Sequence, residues 1–268
     1  MYGLFESTNM KKKLILVFCL SLIFCPFAVA AKNNPCDIKS DSNSIVPIPK
    51  LDKESWISRH NDILKRIKQG KVDIIMVGDS ITHFWETAGK GVWDKYYANR
   101  NVVNMGISGD KTQNVIWRLE HGEVNNINPK LAVLMIGTNN SKNNDYTSQQ
   151  IADGVKAIVC QLRTRLPQTK ILILAIPPRG SDQQRKDKTL EGTFNPQWEK
   201  NEKANKIISK LADDKMIYYL DINKKFLNKK GVLTRDIMPD LLHPGEKGYQ
   251  ILAEAMEPMI VKLTGEKK

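Results

Sequence analysis

The sequence predicts an α/β fold: a parallel sheet of about five strands covered by helices on both faces. Three observations carry this. Short apolar runs of strand length recur along the chain, stretches of helical period separate them, and the runs end in turns bearing Gly, Asn, Asp or Ser. Apolar runs without polar alternation need cover on both faces, which crossover helices supply to a parallel sheet.

In chain order, Trp56, Ile57, His60, Ile63, Leu64 and Ile67 recur at helical spacing, and Gly70 ends that helix. Strands are expected at Val72–Val77, Val102–Asn104, Leu131–Ile136, Ile171–Ile176 and Met216–Leu220. Helical patterns fill 112–119, 149–165 and 197–213 between them. A last helix starts near Pro244, where proline suits a first turn, and Pro258 should kink or shorten it. The polar stretch from Arg179 to Lys200 is long for a connection and reads as a mobile flap over the sheet edge.

The first 31 residues stand apart. Lys11, Lys12 and Lys13 precede an apolar run from Leu14 that ends in Ala28-Val29-Ala30-Ala31, the pattern of a cleaved export signal. Uncleaved, the run would be a membrane anchor at the short limit for a span. Residues 32–50, rich in Asn, Ser, Asp and Pro, read as a linker, and 51–268 as one catalytic domain. Export would place the protein in a periplasm or outside the cell. Of the four cysteines, Cys19 and Cys25 would leave with the signal, and Cys36 and Cys160 could pair in an oxidising compartment.

The formal charge is +12, and loss of residues 1–30, with three lysines and one glutamate, leaves +10. Basic and acidic residues are interleaved, and no nucleic-acid-binding motif accompanies the charge. Oligomeric state stays open, with a homodimer among the options.

The candidates for chemistry fall at the carboxyl ends of the expected strands, where open α/β sheets place their sites. Gly78-Asp79-Ser80 follows the first, so Ser80 would open a helix whose backbone N–H groups face incoming negative charge. Alone it reads better as a helix cap. Asp240-Leu241-Leu242-His243 adds an imidazole able to take a hydroxyl proton and a carboxylate able to orient it. Of four histidines, His60 belongs to a helix stripe, His121 to a polar turn, and His83 sits too near Ser80 in sequence to reach its hydroxyl. That leaves His243 as the base. Asn104 to Asp110 and Gly137-Thr138-Asn139-Asn140 follow two further strands and offer backbone and amide donors for an oxyanion. Ser108 is a rival nucleophile, but a glycine-rich turn suits a donor loop better.

With these residues in place, the chain resembles the SGNH (GDSL-type) hydrolase family, and within it the platelet-activating-factor acetylhydrolase catalytic subunits. Gly78-Asp79-Ser80-Ile81, Asn104–Asp110, Trp117-Arg118-Leu119, Gly137–Asn140, Pro178-Arg179-Gly180 and Asp240–His243 carry the resemblance, over about residues 50–262. It implies a flavodoxin-like three-layer α/β/α sandwich. It makes Ser80 the nucleophile, with Asp240 and His243 completing a triad, and forms the oxyanion hole from the N–H groups of Ser80 and Gly109 and the Asn139 side chain. The expected activity is hydrolysis of short acyl esters, acetyl above all, with no metal or organic cofactor. The substrate would be an O-acetylated carbohydrate or a small ester, or alternatively a phospholipid. The export signal and the Arg179–Lys200 segment depart from the family pattern.

Other classes fit less well. The G-x-S-x-G elbow is absent, and four scattered histidines are too few for a metallophosphoesterase. A secreted glycan-binding module on the same fold would have no need of both a base and a nucleophile.

Overall fold

The computed structural model describes residues 40–142 and 145–266, with positions 1, 3, 36 and 38. Met1–Asn34 is a unit apart from Pro35–Lys268. The expected export signal therefore lies outside the described residues. Among these, no helix is long and apolar enough to cross a membrane.

The elements alternate along the chain: α1 (Glu54–Lys68), β1 (Ile74–Gly78), α2 (Ser80–His83), α3 (Lys90–Tyr96), β2 (Val102–Gly106) and α4 (Thr112–Arg118). They continue with β3 (Leu131–Met135), α5 (Ser148–Arg165), β4 (Lys170–Leu174), α6 (Asp182–Lys186), α7 (Pro196–Ile208), β5 (Ile217–Leu220) and α8 (Glu246–Thr264). All strand pairs are parallel, and the sheet order is β2-β1-β3-β4-β5. This is the flavodoxin-like order, with its switch point between β1 and β3.

Strand side chains alternate between two cores. Ile75, Val77, Val103, Met105, Leu134 and Ile173 pack beneath α1, α4, α5 and α7. Ile74, Met76, Leu131, Val133 and Leu172 pack beneath α3 and α8. The register sets the ends of three strands side by side, Gly78 beside Gly106 and Met135, so that their following loops meet at one edge.

Three expectations are corrected. Helix α8 runs through Pro258 to Thr264 instead of stopping. Pro258 and Glu254, the residue whose carbonyl loses its partner, are both exposed, so water can serve that carbonyl while Met256 and Ile260 hold the buried face.

The Arg179–Lys200 stretch is no loose flap. Ser181 caps α6, Gly192 pairs with Leu233, and Arg235 Nη2 donates to the carbonyls of Gln184, Asp187 and Leu190. Part of the expected linker is likewise docked: Ser42 and Ser44 are buried, while Val46 to Ile48 stay exposed. Ser44 is fully buried, its Oγ donates to the Gln150 carbonyl at 2.6 Å, and Cys36 is disulfide-bonded to Cys160 in α5. Polar composition suggested a tether, but Ser40 and Ser42 cap backbone N–H groups of the segment and Ser44 docks it on α4 and α5.

Candidate active site

Ser80, Asp240 and His243 meet at the carboxyl edge of the sheet. Helix α2 begins directly on β1 because the Asp79 side chain accepts from the Ile81 N–H at 3.0 Å and caps it. Ser80, the expected cap, is therefore free of that duty. The single turn of α2 is held from the neighbouring strand, where Asn104 Nδ2 donates to the Thr82 carbonyl at 2.9 Å. Close approach is allowed by Gly106, where a Cβ would lie 2.2 Å from the His83 nitrogen.

A sharp turn between β5 and α8 brings in His243. Asp240 Oδ1 accepts from the backbone N–H groups of Leu242 and His243 at 3.0 and 2.7 Å, an Asx-type turn. It requires Leu241 at φ +58°, the left-handed region that costs a non-glycine residue about 1 kcal/mol. Full burial of the Leu241 side chain, and its carbonyl accepting from the Gly180 N–H at 2.7 Å, hold the turn in place.

Across this turn, His243 Nδ1 lies 2.8 Å from Asp240 Oδ2, and Nε2 lies 2.8 Å from Ser80 Oγ. A carboxylate can only accept, so Nδ1 carries the proton and Nε2 is left to accept from the Ser80 hydroxyl. The Phe84 ring packs at 5.0 Å from the imidazole centroid. Partial burial works against ionisation of Asp240, but hydrogen bonds from His243 and Arg185 outweigh it and hold the carboxyl well below the usual range. Asp79, fully enclosed beside Ser80, is pushed up by burial to about 7, against the opposing pull of the Ile81 N–H and His243.

The two donor loops adjoin Ser80 in the sheet order. Gly109 adopts φ +77°, and neither its N–H nor that of Ser80 is hydrogen-bonded among the described residues. Asn139 Nδ2 donates one hydrogen to the Asp110 carbonyl at 2.9 Å, which orients the amide and leaves its second hydrogen. Arg179, almost wholly buried, donates to the Thr138 carbonyl at 2.8 Å and so fixes the Asn139 loop from β4. Burial pushes its guanidinium down to about 10.

Beneath Gly109 lies a set of buried charges whose arrangement the sequence did not disclose. Asp110 Oδ2 accepts from Arg118 Nε at 2.9 Å, and its Oδ1 accepts from Trp56 Nε1 at 2.6 Å and Lys50 Nζ at 3.2 Å. Arg118 also pairs with Glu123, which bonds His60 Nδ1 at 2.7 Å. Arg118 had a signal in the Trp117-Arg118-Leu119 motif, and Asp110 in the turn motif. Arg185, which reaches Asp240, had none.

The other candidates fall away. His60 is packed, as its stripe position implied. His121 stacks on Trp117 at 3.7 Å. His83 Nδ1 shares a hydrogen bond with Ser108 Oγ at 3.1 Å, but among the described residues no carboxylate is hydrogen-bonded to that imidazole. Ser108 therefore lacks the oriented base that Ser80 has.

Known proteins resemble this chain in sequence and in fold. Residues 76–251 match the model of the GDSL-like lipase/acylhydrolase family. Platelet-activating factor acetylhydrolase IB subunit alpha2 of Rattus norvegicus is 33% identical over 217 residues, 80% of this chain and 86% of that protein. The alpha1 subunit of Bos taurus is 31% identical over 209 residues, 78% of this chain and 83% of that protein. A GDSL-like lipase structure from Bacteroides thetaiotaomicron superposes with TM-score 0.59 at 17% identity, covering 77% of this chain and 96% of that one. A carbohydrate acetylesterase from Sinorhizobium meliloti gives TM-score 0.54 at 19% identity, covering 72% and 100%. At such identities these two structures bear on the fold alone. From the family match and the sequence relatives, this chain belongs to the GDSL-like lipase/acylhydrolase family and is an ester hydrolase.

Proposed function

We propose that the chain is a serine esterase that removes short acyl groups, chiefly acetyl, from O-acetylated carbohydrate or a small ester. The observation that carries this is the Asp240–His243–Ser80 relay, with 2.8 Å on each side of the imidazole. Ser80 Oγ attacks the ester carbonyl while its proton passes to His243 Nε2. The N–H groups of Ser80 and Gly109 and the Asn139 amide receive the oxyanion. His243 returns the proton to the departing alcohol, leaving an acyl-serine. Water then attacks that ester, with His243 taking its proton and giving it back to Ser80 as the acid leaves.

A phospholipid ester is the second reading. It is supported by the 33% identity to a platelet-activating factor acetylhydrolase subunit. We infer export in either case, supported by the Cys36–Cys160 bond, a pairing that persists in oxidising compartments.

The test is a chain-length series of p-nitrophenyl esters with wild type and Ser80→Ala. Acetate should be the best acyl group, and the variant should lose turnover while keeping its circular dichroism spectrum. Preference for palmitate would remove the acetyl reading; activity in the folded variant would remove the nucleophile.

A further inference from the structure

A cleft of about 490 Å³ opens beside the donor loop, lined by Lys50, Lys53, Trp56, Arg59, His83 and Ser108, with Ser55 and Ile107 completing the wall. It borders the reaction centre at two points of the chain. Ser108 precedes Gly109, and His83 closes the single helical turn that Ser80 opens. Lys50 Nζ, donating to the Gly109 carbonyl at 2.7 Å, joins the cleft to the loop directly.

Three of the eight lining residues, Lys50, Lys53 and Arg59, carry positive charge and none is acidic. The carboxylates that balance them stand off the lining. Asp110 is completely buried below Lys50. Glu86, bound by both terminal nitrogens of Arg59, lines a separate cleft on the other side of that guanidinium. Asp52 pairs with Lys53 at 3.3 Å, with both side chains more than half exposed. Such a surface pair is nearly neutral in energy, so the Lys53 ammonium can exchange Asp52 for a ligand at little cost. A concave wall of one sign concentrates its field on whatever enters. Burial, and after it the Arg59 charge, lowers the proton affinity of His83 against the opposing pull of Glu86 and Asp110, so this imidazole adds no charge of its own to the wall.

Resting on the esterase reading above, we propose that this cleft receives the alcohol part of the ester and selects an anionic group there, a carboxylate or a phosphate. Lys53 and Lys50 supply the charge contacts, Ser55 and Ser108 supply hydroxyls, and Ile107 the apolar wall. The preferred substrates are then acetyl esters of acidic sugars or of polyol phosphates, with the neutral counterparts poorer.

The test compares matched pairs with the full-length protein. O-acetylated galacturonic acid against O-acetylated galactose isolates a carboxylate. Acetylated glycerol phosphate against acetylglycerol isolates a phosphate. For at least one pair, kcat/KM should favour the anionic member about five- to tenfold at low ionic strength. The preference should shrink in about 0.5 M salt, where the screening length falls to a few ångströms. Lys53→Glu, a change at an exposed position, should erase or invert the ratio, and Lys53→Arg should keep it. The pair that shows the preference identifies the ligand group. Equal kcat/KM for both members of both pairs, or a ratio unmoved by Lys53→Glu, overturns the subsite and leaves the esterase intact. No turnover of any ester, p-nitrophenyl acetate included, overturns both.

Discussion

Arg185 Nη2 lies 3.1 Å from Asp240 Oδ2, the same oxygen that accepts from His243 Nδ1. The arginine comes from α6, within the segment that departs from the family pattern, and its Nε also approaches the Asp240 carbonyl at 3.3 Å. One carboxylate oxygen is thus pinned from two sides. Replacing Arg185 by Gln should leave the fold intact and lower kcat a few-fold, because the carboxylate gains freedom that the imidazole must follow. Asp240→Asn should cost far more, since it upsets the tautomer. Equal losses in the two variants, by steady-state kinetics, would show that Arg185 does more than position.

The donor loops give a second expectation. Asn139→Ala should lower kcat roughly 100-fold with little change in KM, the mark of a donor used in the transition state. A rise in KM at constant kcat would instead assign Asn139 to ground-state binding.

Asp79 sets a pH dependence of stability. Its folded value, about 7, lies above the ordinary 3.8 because burial favours the neutral acid. The stabilisation is therefore fully present below pH 3.8 and is lost as pH rises through about 7. Asp79→Asn removes this titration. Urea unfolding should show the variant gaining on wild type between pH 4 and 8, by at most about 4 kcal/mol. A constant difference across that range would mean that Asp79 is ionised throughout.

Charge burial beneath the donor loop is the next test. Arg118, Asp110 and Glu123 are completely buried. Arg118→Met removes the guanidinium that links the buried Asp110 and Glu123 carboxylates and should cost about 3–5 kcal/mol in denaturant unfolding. A loss under about 1 kcal/mol would mean that water or protonation substitutes for the guanidinium.

The Cys36–Cys160 bond joins residues 124 apart in sequence. Reduction, or Ser at both positions, should lower unfolding stability by about 2–4 kcal/mol and leave turnover unchanged. Alkylation before and after reductant, read by peptide mass, reports the bond itself. Free thiols in the protein before reductant would contradict it.

Much of this was legible in the sequence because parallel strands and active-site turns have local signatures. The five strands were found to within a few residues since each is an apolar run between turns. Ser80, Gly109, Asn139, Asp240 and His243 stood out as candidates because their residue types at successive strand ends suit one chemistry, and the fold brings Ser80, Asp240 and His243 within hydrogen-bond reach. What escaped depends on tertiary contact. Helix α3 is seven residues between Gly89 and Tyr97, too short to show a period. Arg185 reaches Asp240 across 55 residues of sequence, and Ser44 finds its partner 106 residues away. Polarity suggested a flap and a linker at those two places, whereas the polar groups are consumed in fixing the Asp240 turn and in anchoring the amino-terminal segment.

The central claim is that Ser80 carries the acyl group between two half-reactions. Brief mixing with p-nitrophenyl acetate, acid quench and peptide mass mapping address it directly. One acetyl group is expected on the peptide containing Ser80, present in wild type, absent in Ser80→Ala, and nearly absent in His243→Ala. An acetyl group found instead on the peptide containing Ser108, or turnover without any acyl-enzyme and with full activity in Ser80→Ala, would contradict it.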